Sequence, residues 1–198
     1  MRFLPWIGAL AIIVGVGAGV YFFGGFYSVA GTAEDPALVR WALVQVRTAS
    51  IKRHAQDQPP ANLEESARMQ AGARAFAEQG CANCHGAPGV NWAEFSEGLR
   101  PDPPDLKEIV NFQTPAQLFW VIKNGINMTG MPSFALAGAK DEDIWSIVAF
   151  LKRLPNVSDA DYKSWTAPPA PPAPPAPPPA PPAAEPPPAA EAPPAAPQ

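Results

Sequence analysis

Cys81 and Cys84 are the only cysteines in the chain, and they stand two residues apart with His85 directly after them. The run Cys81-Ala82-Asn83-Cys84-His85 has the C-x-x-C-H spacing of covalent c-type haem attachment. Each thiol of such a pair forms a thioether to one vinyl group of the porphyrin, and the adjacent histidine is placed to bond the iron. Five residues keep all three bonds within one helical turn and its approach. Two other chemistries also use close cysteine pairs. A zinc site needs about four ligands, and this chain offers two thiols and two histidines, with His54 across a linker. A thioredoxin-like redox pair sits in a βαβ setting, which this sequence does not supply.

An iron held by one histidine takes its sixth ligand from elsewhere in the chain. The candidate is Met131, in Gly130-Met131-Pro132-Ser133-Phe134. A thioether is a soft, neutral ligand that raises the reduction potential relative to a second histidine. Pro132 restricts the loop and helps hold the sulfur in place. Met128, three residues earlier, is the rival; His54 would give a bis-histidine site from outside the apparent domain. Met69 falls inside a helical pattern and reads as core.

The elements that position these residues are helical. Leu63 to Gln79 has helical composition, with Asn62 as N-cap, Glu64 and Glu65 in the first turn, and Gly80 as the stop directly before Cys81. Gly86 to Lys107 is rich in Gly and Pro and reads as irregular loop. Thr114-Pro115 is an N-cap followed by proline at the first helical position, and that helix runs to Asn124-Gly125. Asp141 to Leu154 is acidic at its start and basic at its end, with Pro155 beyond. No segment alternates as a strand does, so the expected fold class is all-α.

Outside this region the composition changes sharply. Phe3 to Ala33 carries no charged side chain. The apolar run Phe3 to Tyr27 is long enough, at ~1.5 Å per residue, to cross a bilayer with some tilt. Arg2 before it, with Glu34 and Asp35 after it, points to a cytoplasmic N-terminus and an exported remainder. The competing reading is a cleaved signal peptide, for which Ser28-Val29-Ala30 supplies a small-residue cleavage site. Gly15 and Gly19 have small-xxx-small spacing, a common feature of membrane helices. Pro36 to His54 reads as a second helix whose bases, Arg40, Arg47, Lys52 and Arg53, give a surface suited to lipid or a partner subunit. Beyond Trp165 the chain is nearly all Pro and Ala, expected to stay disordered and extended as a tether. The expected parts are a transmembrane anchor (1–33), a juxtamembrane helix and linker (34–61), a compact domain (62–157) and a Pro/Ala-rich tail (158–198).

From about Ala67 to Arg153 the chain resembles a class I cytochrome c domain, most specifically at residues 81–85 and 130–134. In that family a glycine of the first helix lets it cross closely with an aromatic-bearing last helix; Gly72 and Phe76 match the first, and Trp145, Val148 and Phe150 the second. The resemblance also implies that a backbone carbonyl of a proline loop accepts the Nδ1–H of His85, from Pro103-Pro104 or from Pro88. Trp92 and Trp120 line the haem or, as is commoner for tryptophan, pack in the core. The apolar start followed by Trp41 to His54 is similar to the anchored single-haem members of bacterial electron-transfer chains.

One covalent haem c is therefore expected, in a single-pass protein of a bacterial inner membrane with the haem domain in the periplasm. With both axial sites filled, its role is one-electron transfer rather than catalysis. Its partners are redox proteins or subunits of a respiratory or photosynthetic complex: a quinol-oxidising complex, a membrane dehydrogenase or a terminal oxidase. No small-molecule substrate is expected, and the formal net charge of −4 argues against nucleic acid. The alternatives are a haem sensor or enzyme with an open sixth site, and an anchor subunit whose haem is incidental.

Overall fold

A computed structural model describes residues 3–168 of the chain; the Pro/Ala-rich run from 169 onward, expected to be disordered, lies outside the described residues. Helix α1 spans Leu4–Phe23 and α2 spans Ala37–His54, and neither buries a single residue. The apolar run continues to Tyr27, but α1 stops at the Gly24-Gly25 pair, glycine being the poorest helix former after proline. Its 20 residues make a rod of ~30 Å, and among the described residues it is the one helix long and apolar enough to cross a bilayer. A signal sequence passes the same test of length and composition. The link from α1 to α2 is tied by Tyr27, whose hydroxyl donates to the Asp35 carboxylate.

The compact part begins with α3, Ser66–Glu78. This helix starts later than the Asn62 cap would have it. Ala61–Glu64 forms a turn in which the Leu63 N–H donates to the Pro60 carbonyl at 3.1 Å. Leu63 packs against the core, and Glu65 is extended (ψ 135°), so the helix opens only at Ser66. Next come α4 (Ala82–His85), α5 (Leu106–Ile109), α6 (Pro115–Asn124), α7 (Asp141–Arg153) and α8 (Asp159–Thr166). The loop between α4 and α5 is irregular apart from one 3-10 turn, Glu94–Gly98, and one isolated bridge between Ala87 and Val90. No strand occurs among the described residues, in agreement with the all-α reading.

The scaffold is the crossing of α3 over α7. A β-carbon on Gly72 would sit 1.8 Å from the Ser146 carbonyl oxygen, so only glycine permits the two backbones to approach this closely. Around that crossing Phe76 meets Phe150 (ring centroids 5.3 Å apart), and Phe119 stacks on Trp145 at 4.1 Å. Phe76, Phe119 and Phe150 are essentially inaccessible to solvent, each burial contributing about 3 kcal/mol. The resemblance of Gly72, Phe76 and Phe150 to a helix-crossing pair is thus met in three dimensions. Trp145 takes the other direction, towards α6.

Helix α8 corrects the boundary placed at residue 157. Ser158 caps it, accepting the Asp161 N–H at 3.1 Å, and Tyr162 is buried and stacks on Phe150. The Arg74 guanidinium donates to the Trp165 carbonyl, tying α8 to α3. The Pro/Ala composition that suggested a tail starts only after this helix has closed one side of the core.

Candidate functional site

Cys81, Cys84 and His85 are brought together by one short turn. The chain leaves α3 at Gly80, and the His85 N–H donates back to the Cys81 carbonyl at 3.0 Å, closing the turn that holds both thiols and the imidazole. Cys81 packs against the core beneath Tyr162, whereas Cys84 and His85 face an open cleft. Both cysteines are free thiols. Burial pushes the Cys81 thiol up to about 12, so it is a neutral group and not the activated thiolate a dithiol redox motif requires.

His85 is oriented by the proline loop. Its Nδ1 lies 2.9 Å from the Pro104 carbonyl oxygen and donates to it, which settles the choice among Pro88, Pro103 and Pro104. Burial lowers the His85 pKa, and this outweighs the raising effect of the Pro104 hydrogen bond. Burial thus favours the neutral ring, and the Pro104 bond places its proton on Nδ1, the arrangement a metal-binding histidine needs. Pro88 is instead fully buried.

The cleft beside His85 has a volume of about 350 Å³ and is walled by Cys84, Trp92, Ser96, Arg100 and the Asp102–Asp105 strip. Trp92 is 53% exposed, so it forms a wall of the cleft and is not core, as its residue type had suggested. Its indole N–H reaches the Glu97 carboxylate at 3.4 Å. Trp120 is half-buried on α6 and stacks on His54, away from the cleft lining.

The methionine loop hangs from the end of α6. Thr114 and Gln117 form a reciprocal capping box at the start of that helix, and Gly125 ends it with φ 70°. A β-carbon on Gly125 would lie 2.6 Å from the Pro132 carbonyl carbon, so the returning strand of the loop runs against the helix end. Three contacts clip it there: Ser133 Oγ to the Lys123 carbonyl at 2.7 Å, and the Phe134 and Ala135 N–H groups to Ile122 and Lys123. Within the loop the Met131 N–H donates to Thr129 Oγ1 at 3.1 Å, and the Met131 carbonyl accepts from Ile126.

These bonds separate the two candidate methionines. Met131 is half-buried and packs against the core; Met128 sits at the loop tip with φ 59° and is 88% exposed. Gly130 lies against the Leu99 side chain, so the methionine loop touches the segment that leads into the proline loop behind His85. That contact had no sequence signal, since Leu99 and Gly130 are distant in the chain and neither carries chemistry. His54 is held within α2, its Nδ1 2.8 Å from the Ser50 carbonyl, with its ring against Trp120.

The donor set fits a haem. Two unpaired thiols and a neutral, oriented imidazole share one turn beside an open cleft, while no group of three His, Cys, Asp or Glu side chains gathers elsewhere among the described residues. Residues 67–151 match the family model described as cytochrome C oxidase, cbb3-type, subunit III. This stretch is a class I c-type cytochrome domain, a domain that carries covalently bound haem c. The match covers a little under half of the chain and leaves out α1, α2 and α8. Comparison with curated proteins and with solved structures gave no match. A cytochrome c domain implies haem-based electron transfer, with other redox proteins as partners.

Proposed function

We propose that the chain is a membrane-anchored one-electron carrier whose single haem is held by thioethers from Cys81 and Cys84, with His85 as proximal and Met131 as distal iron ligand. When bound, haem c supplies a reversible one-electron couple. The protein's own residues set the conditions for it. The Pro104 carbonyl keeps the His85 proton on Nδ1, so Nε2 stays a donor and the ring keeps its orientation. Packing against the core and the Thr129 hydrogen bond support the Met131 position in its loop. If His85 and Met131 both bound the iron, no coordination position would be left for a substrate, which favours a carrier over a sensor or enzyme. The observation that carries the reading is the C-x-x-C-H turn with His85 locked to Pro104.

The 62–157 domain extended through α8 is the electron-carrying unit, and α1 confines it to the outer face of a bacterial inner membrane. Confinement raises the effective concentration of any partner in the same bilayer. The partner is a redox protein of that membrane, with this chain acting as a mobile carrier or as a fixed subunit of a respiratory or photosynthetic complex. Replacing Met131 with alanine tests the ligand assignment. Met131→Ala should convert a low-spin, carbon-monoxide-indifferent haem into one that binds the gas readily, while Met128→Ala should leave the spectrum unchanged. The opposite result would transfer the sixth site to Met128.

A further inference from the structure

Helix α2 is left with a job that the haem domain does not explain. Arg40, Arg47, Lys52 and Arg53 lie on it, and no acidic residue occurs between Pro36 and Gln56. Its apolar side chains are bare as well: Leu38 is 74% exposed, Trp41 61% and Val46 67%. The apolar side chains and the bases are spread around the helix and not sorted into two faces, so α2 carries a one-sign charge set interleaved with uncovered apolar groups, which an interface that is apolar below and anionic above accommodates. The bilayer interface has that profile, because long basic side chains reach the phosphates while indole and aliphatic groups enter the acyl boundary. Position supports the same occupant, since α2 begins 14 residues after the end of the membrane-length helix α1.

The haem domain has the opposite electrostatic character. From residue 61 to 165 acids outnumber bases, so an anionic surface that attracts α2 repels the domain. The two are nevertheless in contact at two points. His54, the last residue of α2, stacks on Trp120 of α6, with ring centroids 6.0 Å apart. In the connector before α2, a β-carbon on Gly31 would lie 3.6 Å from the Gly98 carbonyl oxygen, so the connector passes close to the cleft-wall turn.

We infer that α2 is a lipid-surface helix that recognises anionic headgroups of the bilayer α1 enters, and that it serves as the base on which the haem domain stands. The inference rests on the anchor reading of α1. Through the His54 and Gly31 contacts, the bound helix sets which side of the haem domain faces away from the membrane.

The test is hydrogen exchange on the full-length holoprotein in nanodiscs of phosphatidylcholine alone or of equal parts phosphatidylcholine and phosphatidylglycerol. Amides of residues 37–54 should exchange at least about tenfold more slowly in the anionic discs. The protection should vanish in the Arg40→Gln, Arg47→Gln, Lys52→Gln, Arg53→Gln variant, and amides of α3 and α7 should be the same throughout. Equal exchange in the two lipids would overturn the proposal. So would protection that survives in the variant, which would show that the four bases do not carry the contact. Failure of the chain to enter discs of either composition would instead overturn the anchor reading beneath it.

Discussion

Between Leu4 and His54 the chain makes two long helices and buries nothing, whereas from Ser66 to Thr166 it wraps eighteen apolar residues around one crossing. Both regions are helical, and the difference lies in what completes them. Helices α3 to α8 find their partners within the chain: Gly72 against Ser146, Phe76 against Phe150, Tyr162 on Phe150. Among the described residues, α1 and α2 leave their apolar side chains uncovered, apart from the end of α2, where His54 stacks on Trp120.

The largest effect that sharpens the contrast falls on the cofactor turn. The double variant Cys81→Ser, Cys84→Ser should retain no haem on a denaturing gel stained for haem peroxidase activity, while still fractionating with membranes through α1. Retained staining would contradict the thioether assignment. The next effect concerns glycine. Gly72→Ala should cost the haem domain about 4 kcal/mol, because the new methyl group meets backbone that cannot move aside. The same change at Gly17 of α1 meets nothing within 4 Å and should leave thermal unfolding of the domain unaltered. Equal effects at the two sites would remove the distinction between a self-packed and an externally packed helix.

Tyr162→Ala should destabilise the domain by about 3 kcal/mol in urea unfolding, since its ring is buried on Phe150. A loss near zero would return residues 158–166 to the tail. The smallest effect is expected at the junction of the two regions. Trp120→Ala removes one stacked pair, about 1 kcal/mol. It should speed amide exchange at the C-terminal turn of α2 with little change in α7.

What could be read from the sequence followed the range of the interaction. Thr114-Pro115 announced a helix start, and the structure adds Gln117, which completes a capping box with Thr114. The C-x-x-C-H turn was legible for the same reason, as all its groups lie within five residues. Asn62 misled because its capping pattern competes with the packing of Leu63, a tertiary contact that moves the helix start to Ser66. Helix α8 was missed although Ser158 and its acidic first turn are a cap signal, because the proline composition beyond it dominated the reading. Trp92 was misjudged because residue type favours burial, whereas its position beside the cleft leaves it exposed. The Leu99–Gly130 contact, linking the methionine loop to the histidine side, is purely tertiary and had no local signature.

The most direct test of the central claim is the absorption spectrum of the purified full-length protein, oxidised and reduced, with and without carbon monoxide. A low-spin spectrum with a sulfur-to-iron charge-transfer band, unchanged by the gas, is the result expected for an iron held by His85 and Met131. A high-spin spectrum, or ready formation of the carbon monoxide complex, would contradict it and reassign the chain to sensing or catalysis at an open iron.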